Sequence, residues 1–159
     1  MKQTPGRYEI DPERSTVTFR TRHLFGLAPV RGTVAVRAGT VEVAEPITAS
    51  GVRVEIDAAS FSTGNALRDG NVRSARFLDT ARHPVMTFVS EHLDGDVLTG
   101  TLTVRGVSRP VRLTIEESAS APLSVHATTT VDRVAFGLTA SRGMTGRHLR
   151  LDIHVTARG

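Results

Sequence analysis

Apolar and polar residues alternate along most of this chain. In "STVTFRTRH", Val17, Phe19 and His23 share one parity, while Thr16, Thr18, Arg20 and Arg22 share the other. That period of two marks a strand with one covered face. The same pattern sets Val30, Val34 and Val36 against Arg31, Thr33 and Arg37, and Val52, Val54 and Ile56 against Arg53, Glu55 and Asp57. It continues through Met86 and Phe88, then Leu98, Leu102 and Val104, then Val111, Leu113 and Ile115. A weaker run holds Val125, Ala127 and Val131, and the last holds Leu149, Leu151, Ile153 and Val155. These are eight runs. "LDGDV" at 93 to 97, "RGVSRP" at 105 to 110 and "RGMTGR" at 142 to 147 supply turn chemistry between several of them. Alternation with a polar outer face implies antiparallel strands. Eight such strands make a sandwich or a closed barrel. An eight-stranded barrel has room for side chains to fill it or for one small ligand.

One stretch breaks the pattern. "NALRDGNVRSARFLDTARHPVMTF", residues 65 to 88, carries Arg68, Asp69, Arg73, Arg76, Asp79 and Arg82 around a few apolar side chains. It falls between a strand expected to end at Asp57 and one expected to start near Val85, too far apart for a hairpin loop. Ser62, Thr63 or Asn65 suits a helix cap. Leu67, Ala75 and Leu78 are the expected buried contacts. Gly70 favours two short helical pieces over one, and Pro84 returns the chain to an extended form. An insert of this kind belongs across one open end of a barrel. Its arginines would ring the mouth or face solvent.

Composition narrows the picture. The chain has 159 residues, suited to one domain over residues 1–159, with 39% hydrophobic and 23% charged residues. Aromatics are 4%, with no Trp, so the interior is built from medium side chains that leave the pore either open or filled. No apolar run is long enough for a membrane-spanning helix. The opening residues lack an apolar signal segment, so cytoplasmic residence is expected, or export if a leader was trimmed. Cysteine is absent, which excludes disulfides, thiolate ligands and a Cys nucleophile. The net charge is +4, and Lys2 is the one lysine. Abundant arginine suits phosphate oxygens, although coding bias explains it as well.

Candidate chemistry is sparse. None of the six histidines forms a close-spaced ligand pair, so neither a metal nor a cofactor is expected. No nucleophile elbow or phosphate loop appears, and no catalytic residue stands out. Asp69 and Asp79 suit ion pairs with nearby arginines better than acid–base work. His23 lies on the inward parity of its strand, as a core histidine or as a polar contact to a ligand.

"YEIDPERSTVTFRTRHLFGLAPVRGTV" resembles the opening of the YceI-like, polyisoprenoid-binding family, through Asp11-Pro12, Ser15, Phe19, His23 and Gly32. "STGNALRDGNVRSARFLDTARHPVMTF" is similar to its central signature, through Thr63, Arg68-Asp69, Ser74, Phe77, Asp79, Pro84 and Phe88. "VDRVAFGL" resembles its late element at Asp132, Arg133, Phe136 and Gly137. Arg14, Asn71-Val72, Leu78 and His83 depart from the usual pattern, mostly around the central signature. The resemblance implies an all-β, eight-stranded antiparallel lipocalin-like barrel, with the insert helical near residues 62–80. It also implies binding, storage or transport of a long isoprenoid lipid, a polyprenyl phosphate or an isoprenoid quinone, in an apolar pore.

Seven pore residues follow from strand parity: Val17, Phe19, Val54, Phe88, Leu102, Leu113 and Leu151. The barrel reading adds Phe77 and Met86, and the late family element adds Phe136. His23 and Arg68 are the head-group candidates, Arg68 through the family-like Arg-Asp pair. Against that, Arg68 could pair with Asp69 or Asp79 and hold the insert. Two other functions stay open. One is an enzyme acting on an isoprenoid or other apolar substrate. The other is a basic nucleic-acid-binding barrel, for which exposed aromatics are scarce; nucleic acid is not an expected partner. A homodimer through a strand edge or the insert also stays open.

Overall fold

The computed structural model describes residues 4–23, 28–138 and 147–159. Within them the strands are β1 (Gly6–Ile10), β2 (Thr16–His23), β3 (Ala28–Val43), β4 (Gly51–Ser62), β5 (Val85–Asp94), β6 (Val97–Val104), β7 (Val107–Ser120), β8 (Leu123–Asp132) and β9 (His148–Arg158). All pairings are antiparallel, and the β3–β4 pairing closes the ring. The nine strands fill eight positions. β1 pairs with β3 through Gly6↔Val43 to Glu9↔Thr40, and β2 pairs with the same strand through Thr16↔Ala35 to His23↔Ala28. Both also pair with β9. They are therefore two halves of one barrel strand, interrupted where Asp11 caps a short turn at Pro12–Arg14. The result is a closed eight-stranded antiparallel barrel of the lipocalin-like kind.

Local chemistry sets the hairpins. Val104 pairs with Val107, leaving Arg105 and Gly106 as a two-residue loop with φ of 52° and 74°. Positive φ at both positions matches the right-handed twist of the flanking strands. Asp94 pairs with Val97 around Gly95-Asp96, with Gly95 at φ 61°. The turn at 105 to 110 is thus shorter than its composition suggests, and Pro110 lies inside β7. The segment 142 to 146 lies outside the described residues.

The insert differs from its sequence reading in three ways. β4 runs on to Ser62, so helix α1 covers only Ala66–Arg73, and hydrogen-bonded turns follow to about His83. Gly70 lies inside that single helix, which is not split there. A helix this short takes its stability from its cap and its contacts, so one glycine does not divide it. Leu67 is 86% exposed and Ala75 is exposed, while Leu78 is buried. The side of α1 turned to the barrel carries Asp69 and Val72 instead. Hydrogen bonds at Asp69, together with the half-buried Val72 and the buried Phe77 and Leu78, hold the insert down.

The core is the barrel interior. Inward residues of every strand join one cluster, including Val17, Phe19, Val54, Phe88, Leu102 and Leu113. Two glycines shape it. A Cβ on Gly32 would lie 2.4 Å from the Phe19 ring, and one on Gly100 would lie 2.6 Å from the Phe88 ring. Each glycine lets a large ring lie flat against the wall and keeps the centre clear.

Candidate functional site: the barrel pore

Two adjoining chambers occupy the interior. The wider has a volume of about 820 Å³ and the narrower about 260 Å³. They share walls at a waist made by Val17, Ile56, Leu102, Val131 and Leu151. The wider chamber runs towards the ends of β3, β5 and β7, away from α1. The narrower one lies under α1. All ten residues expected on the pore wall line these chambers. Val17, Leu102 and Leu151 touch both; Val54, Phe88 and Leu113 line the wider one. Phe19, Phe77, Met86 and Phe136 line the narrower one. Their convergence follows from the pleat, which sends every second side chain inward.

The parity has interruptions. Register shifts between Val36 and Ala38, Ser90 and His92, and Ile115 and Glu117 are bulges. After each bulge the opposite parity faces in. Val41 and Val43 therefore join the wider chamber, as does Leu93. Phe61 enters the narrower one, where its ring stacks on Phe19 at 4.9 Å.

The charged groups of the pore gather at its ends. Arg68 and Arg133 line the narrower chamber, with Thr21, Thr63 and Asn71. Arg68 Nη1 donates to Thr63 Oγ1 at 3.1 Å. Thr63 Oγ1 donates in turn to Asp69 Oδ1 at 2.6 Å, and the Thr63 backbone N–H donates to both Asp69 oxygens at 3.0 Å. Arg68 therefore engages the insert through Thr63. Asn65 caps α1 by accepting from the Arg68 backbone N–H. Asp69 is buried, and burial alone would raise its carboxyl. The Thr63 hydrogen bonds and the Arg73 and Arg68 charges outweigh that, and hold it below its ordinary value.

Arg133 is buried, with its guanidinium 5.9 Å from the centre of the Phe77 ring and Nη1 donating to the Leu138 carbonyl. Arg105 Nη1 donates to the Phe77 carbonyl at 2.9 Å. Phe77 is thus clamped from two sides, which fixes the narrow chamber's wall. The far end of the wider chamber has the opposite character, lined by Asp96, Glu116 and Glu117. The side chain of His23 lies outside the described residues. Among the described residues no group of three or more His, Asp or Glu side chains is arranged to hold a metal ion. His126 and His154 stack on the outer wall, away from the pore.

Sequence reading missed Arg133 as a pore residue and the acidic wide end. The signal for Arg133 was an arginine between the cap Asp132 and Phe136, two elements already noted. The signal for the wide end was the absence of Lys and Arg from residues 40–52, 86–104 and 113–132.

A family model described as the YceI-like domain matches residues 8–157. The chain belongs to the YceI-like family. Protein YceI of Escherichia coli O157:H7 is 42% identical over 113 residues, covering 67% of this chain and 59% of that protein. The chain thus aligns with less than two thirds of the length of the curated relatives it matches. BcnA of Burkholderia cenocepacia superposes with a TM-score of 0.75 at 20% identity, over 92% of this chain and 98% of the other. A polyisoprenoid binding domain from Saccharophagus degradans, implicated in plant cell wall breakdown, superposes at 0.73 and 17% identity, over 96% and 98%. At these identities the structural likeness concerns the YceI-like fold.

Proposed function

We propose that this YceI-like barrel binds a long isoprenoid lipid in its pore and stores or carries it. The reading rests above all on one observation. An 820 Å³ chamber walled by Val, Leu, Ile and Phe adjoins a second chamber along the barrel, and charged groups lie only towards the two ends. Such a space suits a long, branched apolar chain with one polar terminus. The polyisoprenoid binding by the structurally similar domain supports the same class of ligand. The role is binding rather than catalysis. The head is a phosphate or a quinone ring, placed in the narrower chamber within reach of Arg68. Arg68 has a guanidinium free to turn from a neutral hydroxyl, Thr63, towards an anion, a stronger partner.

Fluorescence titration with a long-chain isoprenoid quinone tests this on the parent chain and on Leu102→Arg. The parent should bind one equivalent. A folded Leu102→Arg protein should bind none, because the substitution sets a charge at the waist. Normal binding by that variant would place the lipid elsewhere. Should Leu102→Arg fail to fold, Leu102→Phe narrows the same waist without a charge and should weaken binding at least tenfold.

A further inference from the structure

The barrel is electrically lopsided, and its one strongly protruding apolar side chain among the described residues is at the positive end. Residues 65 to 83 contain Arg68, Arg73, Arg76 and Arg82 against only Asp69 and Asp79. Both aspartates are buried, at 4% and 7% exposure, whereas Arg76 and Arg82 are exposed. The outer surface of the insert is therefore positive. At the opposite end, the hairpin segments carry Glu45, Asp94, Asp96, Glu116 and Glu117, and no Lys or Arg occurs in residues 40–52, 86–104 or 113–132; Arg7 and Arg158, which β1 and β9 bring to the same end, are ion-paired with Glu9 and Asp11.

Two described apolar residues project near the ends. Leu67, in the first turn of α1, is 86% exposed; Ile47, at the wide end, is 43% exposed. Ile47 is set in the acidic frame and Leu67 in the basic one. Helix packing does not explain Leu67, since α1 turns Asp69 and Val72 to the barrel. A leucine beside arginines, on a short helix lying over the end of the barrel, has the two elements needed for reversible membrane contact: apolar insertion and attraction to anionic head groups.

We infer that the α1 end is a docking face for an anionic phospholipid bilayer. Leu67 enters the head-group layer, and the exposed Arg76 and Arg82 rest on lipid phosphates. The acidic end points away, because the same surface potential repels it. Docking brings the narrower chamber to the membrane, since the exposed Asn71 and half-buried Arg68 of α1 line it. The surface of the insert alone sets this docking, whatever the pore contains.

Vesicle sedimentation tests it on the full chain, with phosphatidylcholine alone and phosphatidylcholine mixed with phosphatidylglycerol. Binding should appear only with the anionic vesicles at low salt and fall as salt rises. Leu67→Ser should weaken it roughly tenfold, and Arg82→Glu, which changes the interfacial charge by about two units, at least fivefold. The chain has no cysteine, so a single label can report orientation. An environment-sensitive dye on Ala66→Cys should shift to the blue on anionic vesicles, and the same dye on Thr48→Cys should not. No binding at low salt, equal binding to neutral vesicles, or a shift at position 48 instead of 66 would each overturn the inference.

Discussion

Thr63→Val removes the hydroxyl that links the insert to the barrel while keeping the side chain's shape and its backbone N–H. In the parent, that hydroxyl donates to Asp69 at 2.6 Å and accepts from Arg68 at 3.1 Å. A hydrogen bond to a charged group contributes about 1.5–3 kcal/mol. The Asp69 contact is buried and counts nearly in full; the Arg68 contact is half-exposed and counts for little. The variant should therefore lose about 2–3 kcal/mol of stability. For a domain of this size that is a fall in Tm of roughly 4–12 °C. Urea unfolding should show a lower midpoint at unchanged slope. In a double-mutant cycle with Asp69→Asn, the pair should couple by about 1–2 kcal/mol. A loss below about 0.5 kcal/mol without coupling would mean that the packing of Val72, Phe77 and Leu78 holds the insert without help from the Thr63 hydroxyl.

Three further outcomes follow. Because the Asp69 carboxyl is held below its ordinary value in the folded chain, its contribution to stability is present above the unfolded value of about 3.8 and lost as pH falls through the lower folded value. Acid unfolding followed by circular dichroism should thus be less steep in Asp69→Asn than in the parent. Gly32→Ala should destabilise the barrel by about 1–3 kcal/mol, as its Cβ meets the Phe19 ring and the Ser62 carbonyl, measurable by urea titration. Arg68→Ala should weaken a polyprenyl phosphate roughly ten- to a hundredfold and leave an uncharged chain of equal length nearly unchanged, in parallel titrations. Equal losses for both ligands would assign Arg68 to structure.

Much of the pore was legible because a strand's geometry is periodic. Once Val17, Leu102 and Leu151 are placed on covered faces, closing the sheet brings them to one waist. Legibility fails where periodicity fails. Bulges hid Val41, Val43 and Leu93, since one extra residue reverses the inward parity. β1 was missed because five residues carry too little pattern, and because it completes the position of β2. In the insert, hydrophobicity alone misplaces two residues: Asp69 is inside and Leu67 outside. A buried carboxylate with three hydrogen-bond contacts from Thr63 leaves no period in a sequence. The acid-lined wide end is hidden in another way, since Glu116 continues the outer-face parity of Arg112 and Thr114 until the bulge between Ile115 and Glu117 is seen.

Native mass spectrometry tests the central claim most directly. The chain, purified without detergent and stripped with organic solvent, would be refolded and offered an excess of a long-chain isoprenoid quinone, with a nucleic-acid oligomer in a separate sample. The pore account predicts a one-to-one complex with the quinone that survives desolvation and disappears in a folded Leu102→Arg variant. A chain that stays at its bare mass with the quinone, or that retains the oligomer instead, would contradict it.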